Sequence, residues 1–267
     1  TFTYSNTTSG HSLYTYGDIV IDGTFTHTGS YYVVCNGGTS SIYSTLSGSG
    51  SMNTLKMIVG YGRLAYYKLS SSIQIYDFSL ANDIGTSVFD MNENDLTTYY
   101  CTIDGSTLFY QKAGVLRIEQ TTAVIDDAAF IEGAGTTYFS KGTSWSSGNQ
   151  TIPSITYYNL KVRTNNGYTA TIGSGSTVTV TNDLTFTNIS TAGGIATNSS
   201  NDIIVGNNLY IGNTGNALTL NLVNRLYRNS GSGVLTMGNV AAHTINITYA
   251  SSTNFCIDGF GTPIFYG

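Results

Sequence analysis

The sequence predicts an all-β protein, specifically a parallel β-helix (β-solenoid) of short strands. Three observations favour this fold class. Strand-forming residues are abundant, short apolar runs alternate with polar residues, and one turn-and-strand unit recurs at a spacing typical of solenoids. An antiparallel β-sandwich of short strands is the alternative that the same pattern allows.

The composition supports strands and argues against disorder. Charged residues make up 9% of the 267 residues, whereas average soluble domains contain about 25%. Ser, Thr, Asn and 31 Gly take their place. Hydrophobic residues reach 40% and include 21 Tyr, which is enough apolar surface to build a core. Thr, Tyr, Val, Ile and Phe favour a pleated, half-buried surface.

Short strands are predicted where apolar and polar residues alternate between Gly, Asn, Asp or Ser. Residues 17–26 contain two such strands, separated at Asp22-Gly23. Each run is too short to bury its apolar side chains alone, so neighbouring runs must stack. Further runs of this kind lie at residues 177–181, 184–187, 203–205, 209–211 and 218–222.

A loose repeat places a turn residue and then Asp or Asn before an apolar–any–apolar strand. Its copies are residues 17–21, 182–186 and 207–211, and the last two begin 25 residues apart. A period in the twenties suits one turn of a solenoid. Asn and Asp tolerate left-handed backbone, and stacked turns would let their side chains form a ladder.

The texture of the sequence changes along the chain. Residues 76–96 and 121–135 interrupt the strand rhythm, and the second stretch is predicted to be a short helix or a lateral loop. Near residues 142–153 an irregular, Tyr-rich pattern becomes a regular, Thr- and Asn-rich one. We therefore expect an irregular β region at 1–142 and a regular β-solenoid region at 143–267, or one continuous solenoid.

Residues 147–162 (SGNQTIPSITYYNLKV) and 174–188, which end in NDLTFTN, form a recognisable unit. This unit resembles the repeats of very large secreted surface adhesins of Bacteroidota-type bacteria. The likeness covers residues 147–216 and, more loosely, 2–29, whereas the middle third of the chain does not match. It implies a parallel β-helix in an exported adhesin or surface fibre, and it carries over no catalytic residues.

The charge pattern excludes some partners. Ten Lys and Arg spread over the chain, at a net charge of −5, cannot form the basic stripe that nucleic-acid binding requires. No apolar run approaches the roughly 18 residues of a membrane-spanning helix. The chain begins at Thr1, which fits a processed export product or an excised region, and we expect an extracellular or cell-surface location.

The three cysteines, Cys35, Cys101 and Cys256, lack the spacing of a structural zinc site. Buried small apolar side chains are one interpretation. One disulfide with one free thiol, in an oxidising compartment, is another, and a disulfide between subunits is a third.

No recognised catalytic motif appears, and we predict that the protein is not an enzyme. Asp126-Asp127 is the only Asp pair. Adjacent side chains of a strand point to opposite faces, so this pair would not converge on a glycosidic bond. Arg117-Ile118-Glu119 is the closest string to the Arg-Ile-Lys of polygalacturonase-like β-helix enzymes, and its third residue has the wrong charge.

The candidate metal ligands are Asp90, Asn92, Asn94 and Asp95, whose oxygen-bearing side chains are spaced as in calcium loops. Asp95 stands where an EF-hand has Gly, and Cys101 stands where its bidentate Glu belongs. A solvated acidic turn is therefore favoured over a calcium site, and no cofactor other than calcium is expected.

Tyrosine doublets can present aromatic rings to a ligand or to another subunit. In a strand one member faces the core and the other faces out, so outward rings on successive turns would form a strip suited to stacking on sugars. Packing between neighbouring strands is the competing interpretation. The doublets are Tyr31-Tyr32, Tyr66-Tyr67, Tyr99-Tyr100 and Tyr157-Tyr158.

These observations predict an extracellular structural or adhesive surface protein, either an adhesin stalk or a fibre (filament) subunit that self-associates through strand edges. The predicted subunit edges are Phe2 and Tyr4 at one end and Ile264, Phe265 and Tyr266 at the other. A carbohydrate-binding module for polysaccharide or cell-surface glycans is the first alternative. A polysaccharide-degrading β-helix enzyme or tailspike is the second.

Overall fold

The fold is seen in a computed structural model, in which every regular element of the described residues is a β-strand. No helix in those residues is long and apolar enough to cross a membrane. The structure describes residues 2–4, 13–27, 32–59, 64–81, 85–119, 123–140, 148–165, 168–173, 176–189, 194–198, 201–212, 216–223, 225–228, 233–237, 244–247, 257–260 and 264–265.

The chain forms two compact units. Unit 1 comprises Thr1–Ile118 and Val124–Gly135, and unit 2 comprises Glu119–Ala123 and Thr136–Gly267. Within each unit the described strand pairs are parallel and join strands of consecutive turns. Each unit is therefore a parallel β-solenoid. The predicted fold class is confirmed, and the antiparallel β-sandwich alternative is wrong.

Unit 1 consists of short strands interrupted by three longer ones. These strands are β1 (Phe2–Tyr4), β2 (Leu13–Thr15), β3 (Ile19–Val20), β4 (Thr24–His27), β5 (Tyr32–Cys35), β6 (Ser44–Ser47), β7 (Ser51–Val59), β8 (Tyr66–Leu69), β9 (Ile73–Leu80), β10 (Val88–Asp90), β11 (Leu96–Ile103), β12 (Leu108–Tyr110), β13 (Val115–Ile118), β14 (Val124–Ile125) and β15 (Phe130–Ile131).

The strands of unit 1 line up on three faces. The first face contains β1, β4, the first halves of β7, β9 and β11, and β13. The second contains β2, β5, the second halves of the same long strands, and β14. The third face is the six-stranded sheet β3-β6-β8-β10-β12-β15. The long strands therefore pass from the first face to the second without leaving the strand conformation.

The third face supplies a column of stacked aromatic rings to the core of unit 1. Phe89, Phe109 and Phe130 are aligned by strand pairing, and successive ring centroids are 5.7 Å apart with interplanar angles of 15° and 10°. Phe78, from the second face, packs against this column at 4.8 Å from Phe89. We call the three aligned rings the phenylalanine stack. Full burial of each ring contributes roughly 1.5–3 kcal/mol to folding.

Unit 2 consists of short strands throughout. They are β16 (Thr136–Phe139), β17 (Gln150–Ile152), β18 (Thr156–Tyr157), β19 (Asn159–Thr164), β20 (Thr169–Ile172), β21 (Val178–Val180), β22 (Leu184–Asn188), β23 (Gly194–Asn198), β24 (Ile203–Val205), β25 (Leu209–Ile211), β26 (Leu218–Leu222), β27 (Leu226–Arg228), β28 (Leu235–Met237), β29 (Thr244–Ile247), β30 (Ile257–Asp258) and β31 (Ile264–Phe265).

Unit 2 is a regular three-sided solenoid. Its strands enter three sheets in strict rotation: β16-β19-β22-β25-β28-β31, the five-stranded β17-β20-β23-β26-β29, and the five-stranded β18-β21-β24-β27-β30. Buried and partly exposed residues alternate along strands such as β19 and β26. The core is mainly aliphatic because the inward positions carry Val, Ile and Leu. The strands predicted at 177–181, 184–187, 203–205, 209–211 and 218–222 are confirmed here.

Asparagine side chains join consecutive turns of unit 2 at one corner. Asn182 donates through Nδ2 to Oδ1 of Asn159 at 2.8 Å, and Asn207 donates likewise to Asn182 at 3.1 Å, from 25 residues further along. We call these three residues the asparagine ladder. Beside it, Asn208 donates through Nδ2 to the Asp183 carboxylate at 3.0 Å. The predicted ladder and its period of 25 residues are confirmed.

The first copy of the repeat, residues 17–21, lies in a different setting. It precedes and enters β3, on the third face of unit 1, and its Asp18 accepts a hydrogen bond from Thr45 N at 2.6 Å. Bonds from the Thr45 backbone and hydroxyl hold the pKa of Asp18 below its ordinary value. Asp18 thus joins two turns without an amide ladder.

The segment predicted as a short helix or a lateral loop forms neither a helix nor a detour from the solenoid. β14 and β15 occupy its ends, and a turn at residues 126–129 joins them. Asp126 accepts hydrogen bonds from the backbone of its own turn, which favours the turn over a helix. The division of the sequence into 1–142 and 143–267 stays a prediction about composition.

Candidate functional site

One corner of unit 1 carries polar side chains on consecutive turns. It lies where the chain passes from the third face to the first, and Asp22, Ser49, Ser72 and Asp95 occupy it. The Ser72 hydroxyl accepts a hydrogen bond from Asp95 N at 3.0 Å, and the Asp95 carboxylate accepts one from Val115 N at 2.8 Å. These bonds hold neighbouring turns together at the corner.

Next to this corner, the outward side chains of the first face form an open groove of about 550 Å³. That volume lies in the range of small-molecule sites, roughly 300–1,000 Å³. The carboxylates of Asp22 and Asp95 lie at its edge. We call this surface the polar groove; its central side chains pair in register across four turns and are Thr24, Ser51, Gln74 and Thr97.

Three tyrosines pack together on the same strands, β9 and β11. The rings of Tyr76 and Tyr99 are stacked, with centroids 5.0 Å apart and planes 7° apart. Tyr100 meets both rings edge-on, at 5.6 Å from Tyr76 and 4.6 Å from Tyr99. Tyr100 is 41% exposed. We call these residues the tyrosine cluster; each such ring pair contributes about 0.5–1.5 kcal/mol beyond burial.

A bend within the strands turns consecutive tyrosines outward. In β11 Thr98 is buried, and its hydroxyl donates to the carbonyl of Tyr100. Tyr99 and Tyr100 are then both outside the core, so the usual alternation is interrupted for one step. Tyr76 and Asp77 show the same interruption in β9. The bend between the first and second faces therefore creates the tyrosine cluster.

The tyrosine cluster is partly dehydrated. Burial is the main cause that raises the pKa of Tyr76, and the neighbouring Tyr100 and Tyr99 raise it further. Because tyrosine ordinarily ionises only near pH 10, Tyr76 is neutral at physiological pH. The cluster therefore presents uncharged rings and hydroxyls beside the polar groove.

Sequence reasoning missed Gln74 and Tyr76, since neither belongs to a doublet. Gln74 pairs with Thr97, 23 residues further along, and Tyr76 stacks on Tyr99 at the same separation. A search for polar or aromatic residues one turn before each doublet could have found Tyr76. No signal in the sequence marks Gln74 as a groove residue.

The tyrosine doublets follow the predicted alternation only in part. Tyr67 and Tyr157 are the buried members of their doublets, while Tyr66 and Tyr158 are partly exposed. Tyr99-Tyr100 departs from the prediction because both rings lie at the bend. Outward members do not align into one strip, since Tyr66 packs on Tyr43 at 5.9 Å. The backbone of Tyr32 lies in β5, and Tyr31 falls outside the described residues.

The four calcium candidates lie on the polar corner, where they bond to the protein itself. Asp90 accepts a hydrogen bond from Asn92 N at 2.7 Å and lies 3.5 Å from Lys112 Nζ. Asn92 and Asn94 both donate their side-chain amides to the carbonyl of Leu69. Asp95 faces the next turn, as described above. Within the described residues no group of three His, Cys, Asp or Glu converges as a metal site, and calcium binding by Asp90, Asn92, Asn94 and Asp95 stays a prediction.

The Asp126-Asp127 pair lies on the turn between β14 and β15 rather than in a strand. Both side chains are exposed, and Asp126 accepts a hydrogen bond from Ala128 N at 2.9 Å. The argument that strand geometry separates the two carboxylates therefore does not apply here. That the protein is not an enzyme stays a prediction.

Cys35 and Cys101 are free, buried thiols in unit 1. Burial raises the pKa of Cys35 to about 12, and it raises the pKa of Cys101 in the same direction. The interpretation of these two cysteines as small apolar core residues is confirmed. Cys256 lies outside the described residues.

The predicted subunit edges are strands at the margins of their sheets. Phe2 and Tyr4 belong to β1, which among the described strands pairs only with β4. Ile264 and Phe265 form β31, which among them pairs only with β28. Tyr266 lies outside the described residues. The role of these edges in assembly stays a prediction.

The fold and these surfaces define the chain as a parallel β-solenoid protein. No known protein family, curated protein or solved structure matches the chain. Function must therefore be argued from the surfaces and edges described above.

Proposed function

We propose that the protein is an extracellular structural or adhesive surface protein, a stalk or fibre subunit that associates with further copies through open solenoid edges. The solenoid units and the uncharged, hydroxyl-rich composition support this role. Solenoids present long surfaces from repeated turns, and an unpaired strand edge is a template for another chain. The resemblance of residues 147–216 to secreted surface adhesins supports the extracellular location.

The observation that carries the proposal is an apolar column left open at β2. Leu13 begins an inward column of the second face, in which Val33, Phe78 and Cys101 follow on later turns. Val33 is 3% exposed and the other two are fully buried, whereas Leu13 is 48% exposed. A second copy that adds a parallel strand to β2 would bury Leu13 as Val33 is buried.

The test is the association state of the full chain over a wide range of concentrations. We expect light scattering after size exclusion, together with negative-stain micrographs, to show concentration-dependent assembly. Leu13→Lys places a charge in the open column and should shift the assembly midpoint at least several-fold toward higher concentration, because charged residues protect strand edges from pairing.

Ile42→Lys is the matched control. Ile42 is exposed and lies in the connection between β5 and β6, away from the strand edge. It should leave assembly unchanged. Dispersed monomers at every concentration, or equal behaviour of the two Lys variants, would contradict assembly at this edge. Antibody labelling of intact source cells tests the extracellular location separately.

The second candidate function is carbohydrate binding. The tyrosine cluster beside the polar groove favours it, because sugar-binding surfaces combine aromatic rings with hydrogen-bonding groups. The two functions are compatible, since an adhesive protein needs a ligand. Polysaccharide cleavage is the third candidate, and assays for new reducing ends or unsaturated products test it.

A further inference from the structure

The polar groove and the tyrosine cluster form one continuous surface on unit 1. Gln74 and Tyr76 lie two residues apart on β9, and Thr97 and Tyr99 lie two residues apart on β11. Residues at this spacing face the same side of a strand and are about 7 Å apart. A ligand in the groove can therefore touch the tyrosine cluster as well.

The groove offers hydrogen-bonding groups that the protein itself does not use. No side-chain hydrogen bond joins Gln74 or Thr97 to another described residue. An amide and a hydroxyl each supply both a donor and an acceptor. Neighbouring hydroxyls of a sugar ring also act as donors and acceptors, so the two sets of groups are complementary.

The charge at the groove restricts the class of ligand. Asp22 and Asp95 place carboxylates at its edge, and no Lys or Arg lies among its described lining residues. Such a surface repels polyanions, because like charges at short range raise the energy. The favoured ligand is therefore hydroxyl-rich and neutral.

The groove also repeats along its length. Its central side chains come from four consecutive turns joined by strand pairing. Neighbouring strands lie about 4.8 Å apart, so the row spans roughly 14 Å. A surface that repeats at this interval suits a linear polymer better than a single compact molecule.

We propose that this surface binds a neutral polysaccharide, with the chain lying in the polar groove and a sugar ring against the tyrosine cluster. The apolar C–H face of a sugar packs on Tyr100 or Tyr76, while the tyrosine hydroxyls remain at the solvent edge. The inference rests on the adhesive part of the proposed function and names the ligand class that adhesion would use.

Affinity electrophoresis of the full chain tests this proposal. The gels contain one soluble neutral polysaccharide each, from glucomannan, galactomannan, xyloglucan, laminarin and dextran, and a further gel contains polygalacturonate. We expect at least one neutral polysaccharide to retard the protein and polygalacturonate not to do so. Tyr99→Ala should weaken that retardation about 3- to 10-fold, through loss of ring contacts, and Gln74→Ala roughly 2- to 10-fold, through loss of hydrogen bonds.

Tyr158→Ala is the matched control, because Tyr158 is a partly exposed tyrosine of unit 2. It should leave retardation unchanged. Gln74→Ala removes a side chain without a partner, so it remains informative if Tyr99→Ala disturbs folding, which hydrogen exchange of β9 and β11 would show. Failure of every neutral polysaccharide, preference for polygalacturonate, or full binding by Gln74→Ala and folded Tyr99→Ala overturns the proposal.

Assembly and binding are separable in this design. Leu13→Lys blocks the proposed edge and lies outside the groove, so it should retain polysaccharide binding. Retained binding without assembly in the wild-type protein refutes the edge and supports the groove. Assembly without binding refutes the groove and supports the edge.

Discussion

Unit 1 and unit 2 hold their turns in register by different side chains. In unit 1 the phenylalanine stack lies inside the core and joins turns by ring contacts. In unit 2 the asparagine ladder lies at a corner and joins turns by amide hydrogen bonds. The comparison teaches that one parallel solenoid fold is reached either through apolar stacking within or through polar pairing at the corners.

The outward tyrosines of the two units also differ. In unit 2 Tyr138 is covered by cations, with Lys161 Nζ at 4.7 Å and the Arg163 guanidinium at 5.5 Å from the ring centroid. In unit 1 the tyrosine cluster packs ring on ring and leaves Tyr100 substantially exposed. The bend in the long strands of unit 1 is the cause, because straight strands place one side chain out and the next one in.

The largest expected effect comes from breaking the phenylalanine stack. Phe109→Ala should lower the free energy of unfolding by about 3–5 kcal/mol, as truncation of a buried Phe does. Urea titration measures the loss, and hydrogen exchange should locate it in β10, β12 and β15. Phe186→Ala is the matched variant in unit 2, where Phe186 is equally buried and pairs with aliphatic Val162 and Ile211.

We expect the loss for Phe109→Ala to exceed that for Phe186→Ala by about 1 kcal/mol, the worth of its ring pairs. Equal losses would show that the rings contribute only as apolar volume. The contrast between the two units would then reduce to their corners.

Removal of the central rung of the asparagine ladder should have the next largest effect. Asn182→Ala deletes bonds to the turns on both sides, at Asn159 and Asn207. The free energy of unfolding should fall by about 1–3 kcal/mol, because the partners lose their bonds in a partly buried place. Thr179→Ala, at an outward position of β21, serves as the control and should change stability little. Comparable changes in both variants would refute a stabilising ladder.

Alkaline pH should destabilise unit 1 through its buried thiols. Burial raises the pKa of Cys35 from 9.0 to about 12, so the folded state keeps its proton where the unfolded chain loses it. The free energy of unfolding is unaffected below the ordinary thiol pKa and falls as pH rises above it. Between about pH 8 and pH 9.5 the loss should be about 1 kcal/mol per thiol.

Cys35→Ala isolates this contribution from other groups that titrate. The variant should show a pH-dependent loss smaller by about 1 kcal/mol than that of the wild type, when urea titrations at the two pH values are compared. An identical pH dependence in the two proteins would mean that the Cys35 thiolate forms in the folded state as easily as in the unfolded chain.

The smallest effect is expected at the ion pair on the polar corner of unit 1. Lys112 Nζ lies 3.5 Å from the Asp90 carboxylate, and the Lys112 side chain is half exposed. Lys112→Ala should therefore change stability by no more than about 1 kcal/mol, with the difference reduced in high salt. Thermal unfolding at low and high salt measures it. A larger, salt-independent loss would point to the left-handed backbone of residue 112, which has φ of 59°, rather than to the ion pair.

Much of the fold was predictable from local pattern. The strands of unit 2 follow from alternation alone, because each solenoid strand has one side toward the core and one toward solvent. The asparagine ladder followed from the repeat at residues 182 and 207, since identical spacing in a stack brings identical side chains together. The aligned Phe residues of unit 1 lie in strands whose spacing varies from turn to turn, so their stacking could not be predicted in the same way.

The candidate site was harder to predict. Tyr99 and Tyr100 were named as outward candidates, but their pairing with Tyr76 depends on a turn length of 23 residues in that part of unit 1. The polar groove depends on Gln74, Thr97 and the corner side chains meeting across four turns. Side chains so far apart in sequence reveal no common surface until the strand register is known.

By itself the sequence determined an all-β chain, its short strands, and the corner asparagines, because these depend on residue type and on spacing within one or two turns. Tertiary structure alone decided the bend in β9 and β11, the buried state of Cys35 and Cys101, and the joining of the polar groove to the tyrosine cluster. These features depend on which turn lies beside which, and turn lengths in unit 1 vary too much for local pattern to supply that register.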